Sequence, residues 1–300
     1  MADLLSRREW GRLVAAGLAG APFTALSTGK LDSTIKGVAL GSQSYSFRDR
    51  PTIDGVIEGL TAAGLSRCEL WQGHIETREA IDAPRGSSRR EMLRKWRLTV
   101  PMTVFTDIRE KFRRAGITLT AYNISFTDGF TDEEIARGFD MAATLGVKVI
   151  TSSSNISTVK RIDPIAQKRK IPVGFHNHSD LKPNEFATAE NFATALAGTS
   201  KWMAINLDVG HFTAAGGDAL AYLDAHHDRI VSLHVKDWAK AEKDFVPFGT
   251  GEAPVAAVLR RLRDRKWKIP VNLEYEYKGS DTIAEVRKCY DYCRDALLKP

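Results

Sequence analysis

The chain has 300 residues, of which 43% are apolar and 27% are charged, and its formal net charge is +6. This composition is typical of a soluble globular protein, and no apolar run approaches the roughly 20 residues that a membrane span needs. The positive charge is spread over predicted helix faces without an aromatic stripe beside it, which argues against a nucleic-acid-binding protein.

The first 30 residues differ in composition from the rest of the chain. Arg7 and Arg8 precede an Ala- and Gly-rich run that ends in Ala19-Gly20-Ala21, a small-x-small cleavage pattern. This arrangement resembles a twin-arginine export signal and predicts a periplasmic or otherwise exported protein. The alternative is an amphipathic N-terminal helix on a cytoplasmic protein, since acidic residues near the arginines are unusual in such a signal. We therefore predict an export signal and linker over 1–30 and one domain over 31–300.

Beyond this segment, eight short β-branched and apolar runs alternate with helical patterns. The strands are predicted near Val38–Tyr45, Arg67–Trp71, Thr118–Tyr122, Lys148–Ser152, Pro172–Asn177, Met203–Asp208, Ile230–Val235 and Ile269–Tyr275. The clearest helices are predicted over 52–63, 131–145, 255–266 and 282–297, the first two ending at a glycine. Eight such units predict a closed (β/α)8 TIM barrel of the α/β class.

An open doubly wound sheet is the alternative fold. The first strand is followed by Ser42-Gln43-Ser44-Tyr45 rather than by a glycine-rich dinucleotide-binding turn, which favours the barrel. Cys68, Cys289 and Cys293 are too few and too poorly spaced for a disulfide framework or a zinc knuckle, so we expect free thiols.

Four consecutive predicted strands end in ionisable side chains. These side chains are His176 and His178, then Asp208, then His234 and Lys236, and finally Glu274 and Glu276. Side chains two apart on a strand share a face, and the C-terminal ends of barrel strands meet at one rim. Because burying so many ionisable groups is costly without a compensating cation, the pattern indicates a divalent metal such as Mn, Zn, Co, Fe or Mg. The alternative is a buried polar network without a metal.

Three motifs carry a resemblance to a known family, namely Asp208-Val209-Gly210-His211, His234-Val235-Lys236-Asp237 and Glu274. They resemble the metal-binding half of the xylose isomerase-like TIM-barrel superfamily, which contains sugar phosphate isomerases and epimerases, inosose dehydratases and endonuclease IV. The resemblance covers residues 38–297. It implies a metal bound by a strand-five residue together with Asp208, His234 and Glu274, and a substrate contact from His211.

The strand-five position departs from the family pattern. Many of the epimerases have a metal-binding glutamate there, whereas this chain has His176, with His178 as the alternative ligand. The resemblance implies an isomerase or epimerase that abstracts a proton next to the carbonyl of a sugar or keto-sugar and forms an enediolate. Glu274 is the expected base, made more basic by the neighbouring Glu276. The second acid is expected to be His178, Lys236 or Glu276.

Other reactions on the same barrel stay open. Loss of the second glutamate supports a dehydratase or lyase that acts on a keto-sugar or keto-glycoside by β-elimination. An endonuclease IV-like phosphodiester hydrolase is a further alternative, as is a sugar-binding protein without catalysis. The expected partner is a small-molecule carbohydrate, without nucleic acid and without a membrane span. A homo-oligomer is compatible with this interpretation.

The remaining predicted site residues lie near the first two strands. Glu69, Trp71 and His74 are expected to contact substrate, although Trp71 is equally typical of a packed aromatic. Arg48 is expected to receive an anionic group or to cap a loop. Residues 84–88 are predicted to be a flexible excursion over the barrel mouth. The glycine turn at 247–252 is either a phosphate site or a plain loop and helix cap.

Overall fold

Eight parallel strands hydrogen-bond in a closed ring in the computed structural model, which describes residues 31–300. The barrel strands are β1 (Val38–Gln43), β2 (Arg67–Trp71), β3 (Thr118–Asn123), β4 (Ile150–Ser152), β5 (Val173–His176), β6 (Met203–Asp208), β7 (Ile230–Val235) and β8 (Val271–Leu273). Each strand pairs with its neighbours in sequence, and β1 pairs with both β2 and β8, which closes the ring. The predicted TIM barrel is therefore confirmed. The predicted export signal lies outside the described residues.

Helices surround this barrel and connect its strands. They are α1 (Ile53–Ala63), α2 (Arg78–Asp82), α3 (Ser87–Thr99), α4 (Thr103–Arg114), α5 (Asp132–Leu145), α6 (Val159–Arg169), α7 (Ala189–Leu196), α8 (Val209–Ala214), α9 (Ala219–His226), α10 (Val255–Arg265) and α11 (Thr282–Leu298). None of the helices in the described part of the chain is long and apolar enough to cross a membrane.

Local capping explains why the predicted helix boundaries are close to the observed ones. The Thr52 side chain accepts the Gly55 N–H at the start of α1, and Gly64 ends that helix with φ of 83°, a conformation that glycine adopts without strain. Thr131 and Glu134 form a reciprocal capping box at the start of α5, and Gly146 ends it in the same way as Gly64.

Two segments differ from the sequence prediction. The interval between β2 and β3 contains three helices rather than one. Within it, Ser87 and Ser88 open α3 instead of belonging to an irregular excursion over 84–88. Strand β1 ends at Gln43, whose side chain accepts the Tyr45 N–H, and a single 3-10 turn follows over Ser44–Phe47.

A continuous apolar core lies between the barrel and its helices. Helices contribute fully buried side chains such as Phe105, Phe139 and Val258, and strands contribute others such as Phe175 and Leu233. The three cysteines are buried and free, as predicted. Since this core lies outside and below the rim, it leaves the C-terminal ends of the strands available for polar side chains.

Candidate active site

The ionisable strand ends meet at a cavity of about 280 Å³ at the C-terminal rim of the barrel. It is lined by Gln43, Tyr45, Trp71, Asn123, Ser125, Ser153, His176, His178, His211, His234, Lys236, Phe245, Glu274 and Glu276. Both members of each predicted pair line this cavity, at the ends of β5 and β7 or just beyond β5, β7 and β8.

Three of these side chains, together with the fully buried Asp208, form a cluster that could hold a metal ion. His176, Asp208, His234 and Glu274 are buried, and one ligand atom of each lies within 4.8 Å of the others. Two imidazole nitrogens and two carboxylate oxygens are a donor set that divalent metals accept. In addition, His176 Nδ1 and Asp208 Oδ2 are buried without a hydrogen bond from the described residues. Because Lys236 Nζ lies 3.1 Å from Asp208 Oδ2, His176 Nδ1 is the atom that is costly to leave alone and that a cation would satisfy. The residues present therefore fit a metal.

The strand-five member of this four-residue cluster is His176 rather than His178. His178 lies at the half-buried edge of the cavity, with its ring centre 4.9 Å from that of His176 and 5.2 Å from that of His211. Nitrogens of these three histidines also lie within 4.8 Å of one another. His178 and His211 thus flank the four-residue cluster on the side of the cavity opening.

Asp208 is held in place by the start of α8. Its Oδ1 accepts the His211 N–H at 2.7 Å, so the carboxylate caps this helix while Oδ2 faces the cluster. The Asn177 side chain bonds both the N–H and the C=O of Asp208. A side chain at Gly210 would place its Cβ 2.4 Å from Lys236 Cγ, so only glycine permits this close approach. The Asp-Val-Gly-His motif thereby positions two site residues at once.

Lys236 neutralises the carboxylates of the site. Its Nζ lies 3.1 Å from Asp208 Oδ2, 2.9 Å from Glu274 Oε2 and 2.5 Å from Glu276 Oε2. Burial lowers the pKa of Lys236, but the three carboxylates outweigh burial and raise the pKa above its ordinary value. In this arrangement Lys236 is a hydrogen-bond-donating cation and not a base.

The two carboxylates of the cluster differ in acidity. Burial raises the pKa of Glu274, but the Lys236 ammonium and the His234 ring together bring it well below its ordinary value. Burial raises the pKa of Asp208 to about 6, although Lys236 lowers it. The expectation that Glu276 makes Glu274 more basic is therefore wrong, because Lys236 Nζ lies between the two acids and contacts both.

Glu69 was expected to contact substrate, yet it lies below the cavity inside the barrel. Its carboxylate is fully buried and contacts His234 Nε2 at 2.7 Å. It also accepts hydrogen bonds from Thr151 at 2.7 Å and from Asn272 at 3.0 Å. The contact between Glu69 and His234 Nε2 fixes the orientation of the His234 ring. His234 Nδ1 then faces Glu274 at 3.0 Å.

Two further predicted substrate contacts also lie away from the cavity lining. His74 is buried between the Ser44 hydroxyl and the Phe47 carbonyl, and burial lowers its pKa to about 4. Arg48 is exposed and donates to the Tyr275 carbonyl at 2.9 Å, which makes it a loop cap. Trp71 does line the cavity, with the Tyr45 ring edge-on at 5.1 Å.

Phe245 is a lining residue that the sequence analysis missed. It lies on a two-stranded hairpin, Asp237–Ala239 with Asp244–Val246, that follows β7. Its ring centre is 4.9 Å from the His211 ring and 5.0 Å from Lys236 Nζ. A lone aromatic in a charged loop gives a weak sequence signal, so only the hairpin pairing identifies it as a wall of the site.

The glycine turn at 247–252 is a structural loop. Asp237 accepts the N–H groups of Gly249, Gly251 and Ala253 at 2.8 to 3.1 Å. These amides are therefore occupied and do not form the phosphate site that was the alternative. The turn instead anchors the hairpin that carries Phe245.

Comparison with known proteins agrees with this architecture. A family model described as xylose isomerase-like TIM barrel matches residues 79–294. An inosose dehydratase of Lactiplantibacillus plantarum is 32% identical over 81 residues, which cover 27% of this chain and 26% of that protein. An L-ribulose-5-phosphate 3-epimerase of Escherichia coli is 27% identical over 117 residues, which cover 39% of this chain and 40% of that protein. The aligned segments thus span less than half of either relative.

A solved structure extends the likeness to nearly the whole fold. The IolI protein, crystallised with a bound zinc atom, superposes with a TM-score of 0.64 at 15% sequence identity. The superposition covers 87% of this chain and 98% of that protein. At this identity the likeness establishes the shared fold.

Proposed function

This chain belongs to the xylose isomerase-like TIM-barrel family, and from that premise we propose that it is a metal-dependent isomerase or epimerase of a sugar or keto-sugar. The observation that carries the proposal is the buried cluster of His176, Asp208, His234 and Glu274 beside a polar cavity. The similarity to a sugar epimerase and to a dehydratase supports an enzyme that modifies sugars.

The side chains divide the proposed reaction between them. A divalent ion bound to the cluster would polarise the substrate carbonyl and acidify the adjacent C–H. Glu274 is ionised because its pKa is well below the ordinary value, so it is available to accept that proton. Lys236 lies 2.9 Å from Glu274 and offsets negative charge that develops on a substrate oxygen.

His178 is the proposed second proton-transferring residue of the reaction. Burial lowers its pKa, with Lys236 adding to the effect, so the ring is neutral near pH 7 and can exchange a proton. His178 lies at the edge of the cavity, outside the four-residue cluster. After taking up a proton from solvent, its imidazolium form would deliver that proton to the carbon that Glu274 has deprotonated, while Glu274 keeps the proton it removed.

Elimination is the second candidate reaction. His176 stands where a second glutamate would make the site symmetrical, so proton removal by Glu274 has no matching carboxylate to return the proton. Loss of a β-hydroxyl or a glycosidic oxygen would then complete the reaction as a dehydratase or lyase. The similarity to an inosose dehydratase over 81 residues favours this alternative.

Solvent exchange separates the two candidates. We would incubate the purified metal-loaded protein with a panel of keto-sugars in deuterated water and measure the recovered compounds by mass spectrometry. Deuterium in recovered substrate or its epimer supports isomerisation, and a product lighter by one water or one alcohol supports elimination. If no keto-sugar takes up deuterium and none loses water or an alcohol, both proposals are contradicted.

Replacing Asp208 with alanine should remove the metal ion while leaving the barrel folded, because the apolar core lies outside the site. Loss of the α8 cap should cost about 0.5–2 kcal/mol, which a folded domain tolerates. Elemental analysis and circular dichroism measure the two effects. The control is Asp180→Ala, an exposed carboxylate just beyond β5. Full metal occupancy in Asp208→Ala would show that the cluster is not the metal site.

Replacing Glu69 with glutamine should weaken metal binding roughly 10- to 100-fold, as expected for a carboxylate that orients a ligating histidine. Competition with a chromophoric chelator measures the dissociation constant. Thr151→Val is the matched control, since it removes a different hydrogen bond to Glu69 and leaves the His234 contact in place. Equal affinity in Glu69→Gln and the parent would assign Glu69 a purely structural role.

We further propose that the protein is exported and processed after about residue 21, on the strength of the paired arginines and the cleavage pattern. Intact-mass analysis of the protein from its native host should give a chain that begins just after Ala21, near Pro22. A cytoplasmic chain that still begins at Met1 would contradict this.

A further inference from the structure

A second cavity, of about 450 Å³, borders the catalytic cavity and is rich in arginine. Four arginines line it, namely Arg85, Arg89, Arg90 and Arg97, and none of its lining residues is acidic. Ser125 lines both cavities. Gln72 lines the arginine cavity and directly follows Trp71, which lines the catalytic one. The two cavities therefore adjoin at Ser125.

Arg97 is the structural member of the four. It is buried, and its guanidinium donates to Glu76 at 2.7 Å and to Glu134 at 3.1 Å. It also lies over the Phe130 ring at 4.1 Å. Two carboxylates already neutralise this charge, so Arg97 forms the floor of the cavity and is not available to a ligand.

The other three arginines are not neutralised in this way. Within residues 31–300, no carboxylate lies within ion-pair distance of Arg85, Arg89 or Arg90, and Arg89 donates only to the Ala83 carbonyl at 3.3 Å. An added Cβ at Gly129 would lie 3.1 Å from Arg90 Cδ, so the stem of Arg90 packs against the cavity wall. Three uncompensated guanidinium groups around one concave surface attract anions.

We propose that this cavity binds an oxyanionic group of the substrate, a phosphate or a carboxylate, while the reacting carbons occupy the catalytic cavity. The chemical class is thus an acidic sugar, and the inference rests on the proposed function. Guanidinium groups bind both oxyanions through paired N–H donors, and these hydrogen bonds are stronger than those between neutral groups. In this proposal the anion, bound beside Ser125, belongs to the same ligand as the reacting carbons.

The test compares Arg85→Gln/Arg90→Gln with Arg113→Gln/Arg114→Gln. Both double variants remove two exposed positive charges, but the second pair lies at the end of α4 and does not line the cavity. Calorimetry with inorganic phosphate tests the anion site on the metal-loaded protein. Affinity should fall roughly tenfold for each arginine removed from the cavity and should stay at the parental value in the control.

Deuterium exchange with a neutral keto-sugar, its phosphate ester and the corresponding uronic acid identifies the substrate group. We expect the parent to prefer one or both acidic sugars, and the preference to disappear in Arg85→Gln/Arg90→Gln while exchange of the neutral sugar is unchanged. Equal rates for all three sugars, or phosphate binding unaffected by the cavity substitutions, would overturn the proposal. If no sugar exchanges, the proposed function fails, and the phosphate titration still decides whether the anion site exists.

Discussion

Replacing Glu274 with glutamine should lower turnover about 10²-fold or more while leaving the barrel folded, in keeping with the contribution of a positioned general base. Glutamine preserves the shape of the side chain but cannot accept the substrate proton. The lowered pKa of Glu274 leaves the carboxylate in its proton-accepting form throughout the neutral range. The measurement is the rate at which substrate deuterium washes into solvent, with metal content determined on the same preparation.

The control for this variant is Glu276→Gln. Glu276 contacts the same ammonium at 2.5 Å but lies outside the four-residue metal cluster, so its loss should reduce turnover less. If Glu274→Gln keeps its metal and exchanges deuterium at the parental rate, Glu274 is not the base. His178 would then be the next candidate, because Lys236 is held as a cation.

Replacing Lys236 with methionine should destabilise the metal-free protein by about 3–5 kcal/mol, the usual effect of removing one partner from a buried ion pair. Lys236 is 1% exposed, and its ammonium contacts Asp208, Glu274 and Glu276. Without it, these acids lie close together with His234 as their remaining nearby cation. A divalent ion should restore most of the lost stability, because it binds the folded cluster and supplies the missing positive charge.

Urea unfolding in chelator and in saturating metal measures both effects. The control is Lys240→Met, an exposed lysine in the hairpin after β7, which should unfold like the parent under both conditions. We also expect the Lys236→Met protein to bind metal more tightly, since the ion no longer meets an ammonium beside its ligands. Equal midpoints for Lys236→Met and the parent in chelator would show that Lys236 does not neutralise the site.

Local patterns carried most of the information about the fold. The alternation of side chains at and just beyond the ends of β5, β7 and β8 identified which of them face the cavity, because extended backbone has a side-chain period of two. Capping residues such as Thr52 and Thr131 located helix starts for a similar reason, since a cap bonds an N–H only three residues away.

Depth within the barrel could not be predicted in this way. Glu69 and Trp71 share a face of β2, yet Trp71 reaches the cavity and Glu69 lies one layer below it, against His234. The height of a residue depends on the stagger of all eight strands and on which strands fill each interior layer. That stagger is a property of the closed ring and has no local signature.

By itself, the sequence therefore determined the fold class, the strand that supplies each group and the face on which each group lies, because these follow from short-range backbone geometry. The tertiary structure alone decided that His176 joins Asp208, His234 and Glu274 in one buried cluster, that Lys236 is held among three carboxylates, and that Glu69 contacts His234. It alone brought three arginines of the segment between β2 and β3 together around a cavity beside the active site. Each of these depends on distances between residues far apart in the chain, which are fixed only when the strands close and the connecting helices pack.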